Sequence, residues 1–235
     1  MTTDAYQIRL CLSCGLRYPL DFKQYSKNRC PACRSNTQLL AEHTLQAESW
    51  LPAAIPSFHF EVILDNIRSA ETVGLIFCAA REFGGKHLYL CGLTPTPRLE
   101  AVRGVSKESE KFISWTYHKD SVLTLRALKE QGCKAFALGH ATGAISIKEI
   151  ALARRRRASD TKKKPINEKA SMPPLKHRWI GAGEKIVFVV GNGKTGVDPD
   201  LIHLCDDVVF IPTLGEKDSL HEALAFTVAI SQIAL

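Results

Sequence analysis

The stretch Val189-Val190-Gly191-Asn192-Gly193-Lys194-Thr195-Gly196, VVGNGKTG in one-letter code, sets a Gly-Lys-Thr directly after an apolar strand, as phosphate-binding loops do. A P-loop is written G-x-x-x-x-G-K-[ST], and its first glycine opens the nest of backbone N–H groups that surrounds the phosphates. Counting back from Gly193 puts Phe188 at that position, where a ring fills the cradle and the required backbone conformation is costly. The loop therefore does not read as a nucleoside triphosphate site, and it needs another explanation.

Outward from this loop, strands and helices alternate. Glu61–Ile67 reads as a buried strand, Val73–Phe83 as an amphipathic helix, and His87–Cys91 as a strand running into the turn-rich segment Gly92–Pro97. Lys119–Gly132 reads as a helix closed by a glycine cap, followed by the strand Lys134–Leu138. Then come the strand Lys185–Val190, a helix from Pro199, the strand Asp207–Ile211 and a last helix from Ser219. Such alternation predicts an α/β domain with a mostly parallel sheet, whose ligands sit in loops at the carboxyl ends of strands. VVGNGKTG and the loop from Ile211 to Asp218 both lie at such ends.

The chain of 235 residues is long enough for one full domain and a small appendage. It contains no run of about 18 apolar residues, and its start does not resemble a signal or transit peptide. These features predict a soluble, cytoplasmic protein with no membrane partner. Four of its eight cysteines form two C-x-x-C knuckles, Cys11/Cys14 and Cys30/Cys33, the spacing of a tetrahedral four-thiolate Zn2+ site. Two disulfides or redox dithiols are the competing reading, disfavoured by the intracellular context and the repeated knuckle. A structural zinc ribbon over residues 1–42, a linker over 43–59 and a main domain over 60–235 follow. Cys78, Cys91, Cys133 and Cys205 stand in apolar surroundings and read as small buried hydrophobes.

Thirty-one Lys and Arg against 24 Asp and Glu give a formal charge of +7, which favours a polyanionic partner. Around the knuckles, Arg9, Arg17, Lys23, Lys27, Arg29 and Arg34 are interleaved with Tyr18, Phe22 and Tyr25, cations for phosphates beside rings that stack on bases. From Ala153, the run ARRRRASDTKKKPINEKASMPPLKHR is strongly cationic and has almost no apolar periodicity. It reads as a basic insert at about 153–180. Arg154, Arg155, Arg156, Arg157, Lys162, Lys163 and Lys164 are its candidate RNA-binding residues, since such density repels itself unless an anion neutralises it.

The segments LDNIRSAETVGLIFCAAREFG and VVGNGKTGVDPDLIHLCDDVVFIPTLGEKDSLHEALAFTVAI resemble the first motif and the C-terminal signature of the SpoU/TrmH family of RNA ribose 2'-O-methyltransferases, members of the SPOUT superfamily. The resemblance extends over about residues 60–235. It implies a trefoil-knotted, mostly parallel sheet flanked by helices, a homodimer, and S-adenosylmethionine bound in the knot loops. Gly191, Ile211 and Leu220 match the positions that hold that cofactor, and structured RNA, ribosomal or transfer, is the implied partner. Position by position, the motif's polar residues differ here: Thr72 stands for an Asn, Cys78 for an Arg, Gly193 for a Glu, and His221 for the Asn of Ser-Leu-Asn, while Ser219 is retained.

Attack of a ribose hydroxyl on a methyl group requires something to orient the oxygen and take its proton. Ser219 and His221 are the candidate catalytic residues. Cys78 cannot replace a guanidinium on a phosphate. Two readings follow: an RNA 2'-O-methyltransferase with a divergent active site, or a catalytically inactive SPOUT-fold RNA-binding protein of the ribosome-associated or assembly-factor kind.

Overall fold

The computed structural model describes residues 5–21, 29–44, 59–141, 143–152, 184–213 and 220–234. Ser219, Phe22, Lys23, Tyr25, Lys27 and the basic run with Arg154–Arg157 and Lys162–Lys164 lie outside them. The chain divides into two compact units, Met1–Ala53 and Ala54–Leu235.

In the first unit, β1 (Ala5–Cys11), β2 (Arg17–Asp21) and β3 (Thr37–Thr44) form an antiparallel sheet of order β2-β1-β3. Among its described residues only Arg9, Cys11, Leu20 and Cys30 are buried, a core too small to hold a fold by apolar burial. The cysteines therefore have to contribute through their chemistry. Arg9 corrects an expectation. Its guanidinium does not face outward for phosphate but donates to the Thr37 hydroxyl (2.8 Å), the Thr37 carbonyl (3.0 Å) and Gln7 Oε1 (2.7 Å), tying β1 to β3.

In the second unit, seven parallel strands take the order β6-β5-β4-β9-β7-β10-β8. In chain order the elements are β4 (Phe60–Asp65), α1 (Ala70–Phe83), β5 (Gly85–Cys91), α2 (Glu100–Ser106), β6 (Ser114–His118), α3 (Ser121–Glu130), β7 (Lys134–Leu138) and β8 (Ile145–Ser146). They continue through α4, described over 147–152, to β9 (Ile186–Val190), α5 (Pro199–Leu204), β10 (Asp207–Phe210) and α6 (Glu222–Ala234). This seven-stranded sheet with flanking helices has the α/β architecture that the resemblance implies.

Strand β9 is central, and all five of its residues are buried, which explains why it reads as an unbroken apolar run. Its side chains alternate between two cores. Phe188 and Val190 join Val62, Leu64 and Phe136 under α1 and α6, while Val187 and Val189 join Ile63 and Ala135 over Leu125 and Leu201 of α3 and α5. Phe188, the residue that spoils the P-loop pattern, has its ring 5.8 Å from Phe60 and 6.0 Å from Phe136. It belongs to the hydrophobic core.

Caps set the helix limits. α1 begins earlier than the apolar pattern indicates because the Ser69 hydroxyl accepts from the Thr72 N–H, and it ends at Gly84 (φ 90°), whose N–H reaches the Ala80 carbonyl. The Asp120 carboxylate caps α3 through the Leu123 N–H. Strand β6 and the short α2 are absent from the sequence reading: β6 has no buried residue and thus no apolar signature, and α2 spans only two turns. The buried Cys91 and the largely shielded Cys205 behave as apolar residues, burial pushing both thiols up to about 12. No helix among the described residues is long and apolar enough to cross a membrane.

Candidate functional site

The carboxyl ends of β7, β9 and β10 meet at a cleft of about 370 Å³, within the roughly 300–1,000 Å³ of small-molecule sites. Gly191, Ile211 and Leu220, far apart in sequence, all line it. Its floor is the loop after β9, which closes on itself. The Gly196 N–H donates to the Asn192 carbonyl at 2.7 Å, and Gly196 takes φ +74°. A Cβ on Gly191 would stand 2.5 Å from both the Gly196 carbonyl carbon and the Val197 nitrogen, so only glycine permits this closure. The glycine is thus required first by the loop's own return.

Within the loop, the Gly193 N–H donates to Glu222 Oε1 (2.6 Å), the Lys194 N–H to Asn192 Oδ1 (2.9 Å), and Asn192 Nδ2 to the Asn66 carbonyl (2.9 Å). Amides used in this way cannot cradle a phosphate. The loop is instead a tied wall with apolar neighbours, among them Leu138, Val209 and Ile211.

Beside the cleft, residues from both motif segments meet. His221 Nε2 lies 3.3 Å from the Thr72 hydroxyl and 3.8 Å from Glu222 Oε2. Thr72 is buried and is fixed by the cap of α1, whereas His221 remains exposed at the start of α6, where its carbonyl accepts the first helical bond from Ala225. The ring turns to Thr72 across the two helices. Glu222 is the member of this group that the sequence reading passed over. Its only sequence signal is an acidic residue in the first turn of a helix.

Cys78 does not join this group. Its thiol points to the carbonyls of Val105 (3.5 Å) and Ser106 (3.2 Å), linking α1 to the end of α2. At the end of β4, buried Asp65 accepts from Asn66 Nδ2 (2.8 Å), the Ser121 hydroxyl (2.8 Å) and the Asp198 N–H (3.3 Å). That carboxylate fastens the end of β4 to the starts of α3 and α5 and so holds the surrounding loops.

In the first unit the Sγ atoms of Cys11, Cys14, Cys30 and Cys33 lie within 4.8 Å of one another. Cys11 and Cys33 approach to 3.4 Å and Cys14 and Cys30 to 3.6 Å, far beyond a disulfide's ~2.05 Å and near the ~3.8 Å edge of a tetrahedron with Zn–S of about 2.3 Å. The two knuckles repeat each other: Gly15 and Arg34 return N–H bonds to the Cys11 and Cys30 carbonyls at 3.0 and 2.9 Å, both with positive φ. Hydrogen bonds from the Ser35 hydroxyl and amide lower the pKa of the Cys33 thiol, the direction that favours a metal-binding thiolate. Four sulfurs in this arrangement fit one Zn2+.

A family model described as the SpoU rRNA Methylase family matches residues 59–231. Among solved structures, the TrmH/SpoU tRNA modifying enzyme of A. aeolicus aligns with a TM-score of 0.56 at 17% identity, over 76% of this chain and 74% of that one. AviRb, a SpoU methyltransferase from Streptomyces viridochromogenes in complex with AdoMet, aligns at 0.55 and 15% identity, over 77% of this chain and 61% of that one. An AdoMet-bound rRNA methyltransferase from Sinorhizobium meliloti aligns at 0.56 and 21% identity, over 76% and 57%. This chain thus spans about three fifths of the latter two proteins. None of the curated proteins compared matches it.

Proposed function

The chain belongs to the SpoU rRNA methylase family, and on that premise we propose that it transfers a methyl group from S-adenosylmethionine to a ribose 2'-hydroxyl of structured RNA, ribosomal or transfer. The observation that carries this reading is the convergence of Gly191, Ile211 and Leu220 on one cleft, with the Thr72–His221 pair beside it. The apolar walls and tied loop suit an uncharged ring and alkyl chain, and the two AdoMet-bound neighbours share the fold. When bound, the cofactor supplies a methyl group on a sulfonium, whose leaving sulfur needs no proton. The protein has to orient the ribose oxygen and accept its proton. His221, exposed beside the cleft, is placed for the second task, and Ser219 is its companion in sequence.

Zn2+ in the four-cysteine site would brace the ribbon, and the basic run would hold the RNA backbone. Leu75 on α1 and Leu224 on α6, both exposed on helices that pack together, leave apolar surface for a second copy in a homodimer. A cytoplasmic location accords with this set.

The second reading, an inactive RNA-binding homologue, draws support from Cys78, which faces two carbonyls where the family's motif carries an arginine. The test is incubation of purified protein with methyl-tritiated S-adenosylmethionine and total RNA. Label incorporated in wild type and lost in His221→Ala supports transfer. Cofactor binding without incorporation would establish the inactive homologue.

A further inference from the structure

We infer that Glu222 is the positioning carboxylate of this site, one oxygen fixing the loop after β9 and the other facing His221 Nε2, so that the imidazole presents Nδ1 as the proton acceptor. The inference rests on the methyltransferase reading above. Glu222 Oε1 accepts from the Gly193 N–H at 2.6 Å, and Oε2 lies 3.8 Å from His221 Nε2. The same nitrogen is 3.3 Å from the hydroxyl of Thr72, which is 1% exposed. A hydroxyl takes either role in a hydrogen bond, whereas a carboxylate only accepts. Of the two neutral imidazole tautomers, the one protonated at Nε2 is attracted to Glu222 and donates to Thr72. The lone pair is then on Nδ1.

With S-adenosylmethionine supplying the methyl group and its sulfur keeping the carbon–sulfur electron pair, the ribose oxygen would bond to the methyl carbon and Nδ1 would take the hydroxyl proton. The imidazolium so formed lies beside an anionic Glu222, which offsets its charge. At 3.8 Å the Glu222–His221 contact is an attraction rather than a formed hydrogen bond, and it shortens as the ring gains charge.

The close approach of the two residues also sets what position 193 can hold. A Cβ on Gly193 would stand 2.8 Å from Glu222 Cδ, so a side chain at 193 and Glu222 compete for one volume. The glutamate that the motif places after Gly-Asn is missing at 193, and a carboxylate reaches the same place from α6. The glycine and the glutamate form a reciprocal pair.

The experiment uses the full chain as wild type, Glu222→Ala, Glu222→Gln, Gly193→Glu and the double variant Gly193→Glu/Glu222→Ala. Nitrogen-15 shifts of the His221 ring, exchange of the Gly193 amide and methyl transfer to RNA are measured on each. Expected are an Nε2-protonated ring in wild type, mixed tautomers and at least ~10-fold faster Gly193 exchange in Glu222→Ala, and transfer lowered about 10²-fold. Glu222→Gln, with an acceptor but no charge, keeps Gly193 protected and loses the tautomer preference. Gly193→Glu alone is impaired because the new carboxylate displaces and repels that of Glu222, and the double variant recovers to within about tenfold of wild type. An Nδ1-protonated ring in wild type, or a double variant no better than the worse single one, overturns the inference. A wild type that shows the Nε2-protonated ring and a protected Gly193 yet transfers no methyl supports Glu222 as the positioning group while refuting the proposed activity.

Discussion

Replacing Gly191 with alanine puts the loop's closure directly to the test. The added Cβ would meet the Gly196 carbonyl carbon and the Val197 nitrogen at 2.5 Å, against an ordinary contact of 3.4 Å or more. Both are backbone atoms, so no rotamer relieves the clash, and one side of the loop has to move by about 1 Å. Overpacking of this kind costs about 1–3 kcal/mol, and with a backbone obstacle we take about 2 kcal/mol. For a unit of this size that lowers Tm by about 4–8 °C. The same displacement reshapes the cleft floor and strains the Gly193–Glu222 tie, so S-adenosylmethionine affinity should fall at least ~10-fold by calorimetric titration. Gly139→Ala is the internal control, because Gly139 lines the same cleft but has open space around its Cβ position and no positive φ. It should leave Tm within about 1–2 °C of wild type. Equal stability and equal affinity in the two variants would refute the packing argument for Gly191.

Purified protein should carry one zinc per chain by metal analysis, and Cys30→Ser should release it and unfold the ribbon while the α/β unit, with its own core, keeps its unfolding transition. Arg34→Gly removes the cost of φ +62° at a non-glycine residue and should stabilise the ribbon by about 1 kcal/mol in denaturant titration of the zinc-loaded protein. Deleting Arg154–Lys164 should weaken RNA binding and reduce the steepness of its salt dependence by about 0.7 for each single-strand phosphate that is no longer neutralised, read from affinities across a salt series. His87 is half-buried, and desolvation holds its pKa below the ordinary 6.5, so the unfolded chain binds the extra proton. Its contribution to stability is complete above about pH 6.5 and is lost as pH falls from there through the lower folded-state pKa. Unfolding free energies between about pH 5 and 7.5 should therefore show a shallower acid decline in His87→Gln.

Much of the sheet was legible because its central strands are buried on both faces. Ile186–Val190 is an unbroken apolar run and Lys134–Leu138 a nearly continuous one, apolar after Lys134, and such runs are found without tertiary information. Edge strand β6 was not legible for the opposite reason, since none of its residues is buried. The start of α1 falls earlier than the apolar pattern indicates, because the polar cap Ser69 and the first turn precede that pattern. Arg9 marks another limit: a cation in a basic segment reads as surface, and only the neighbouring strand reveals that it donates inward to Thr37.

Linear spacing alone determined the four-cysteine site, because each knuckle forms its own turn through local hydrogen bonds and needs little from the rest of the chain. It also determined that the Gly-Lys-Thr loop is no P-loop, because Phe188 fails a rule of adjacent positions. The tertiary structure decided the reason, placing Phe188 in the aromatic core and spending the loop's amides on Glu222 and Asn192. It alone decided that Thr72 meets His221 and that a glutamate on α6 fills the space left by Gly193. Those residues lie 149 and 29 positions apart, and nothing local in either segment encodes the approach. A parallel sheet brings distant loops to one edge only when every strand between them is in register, so such a site exists as a property of the packed whole.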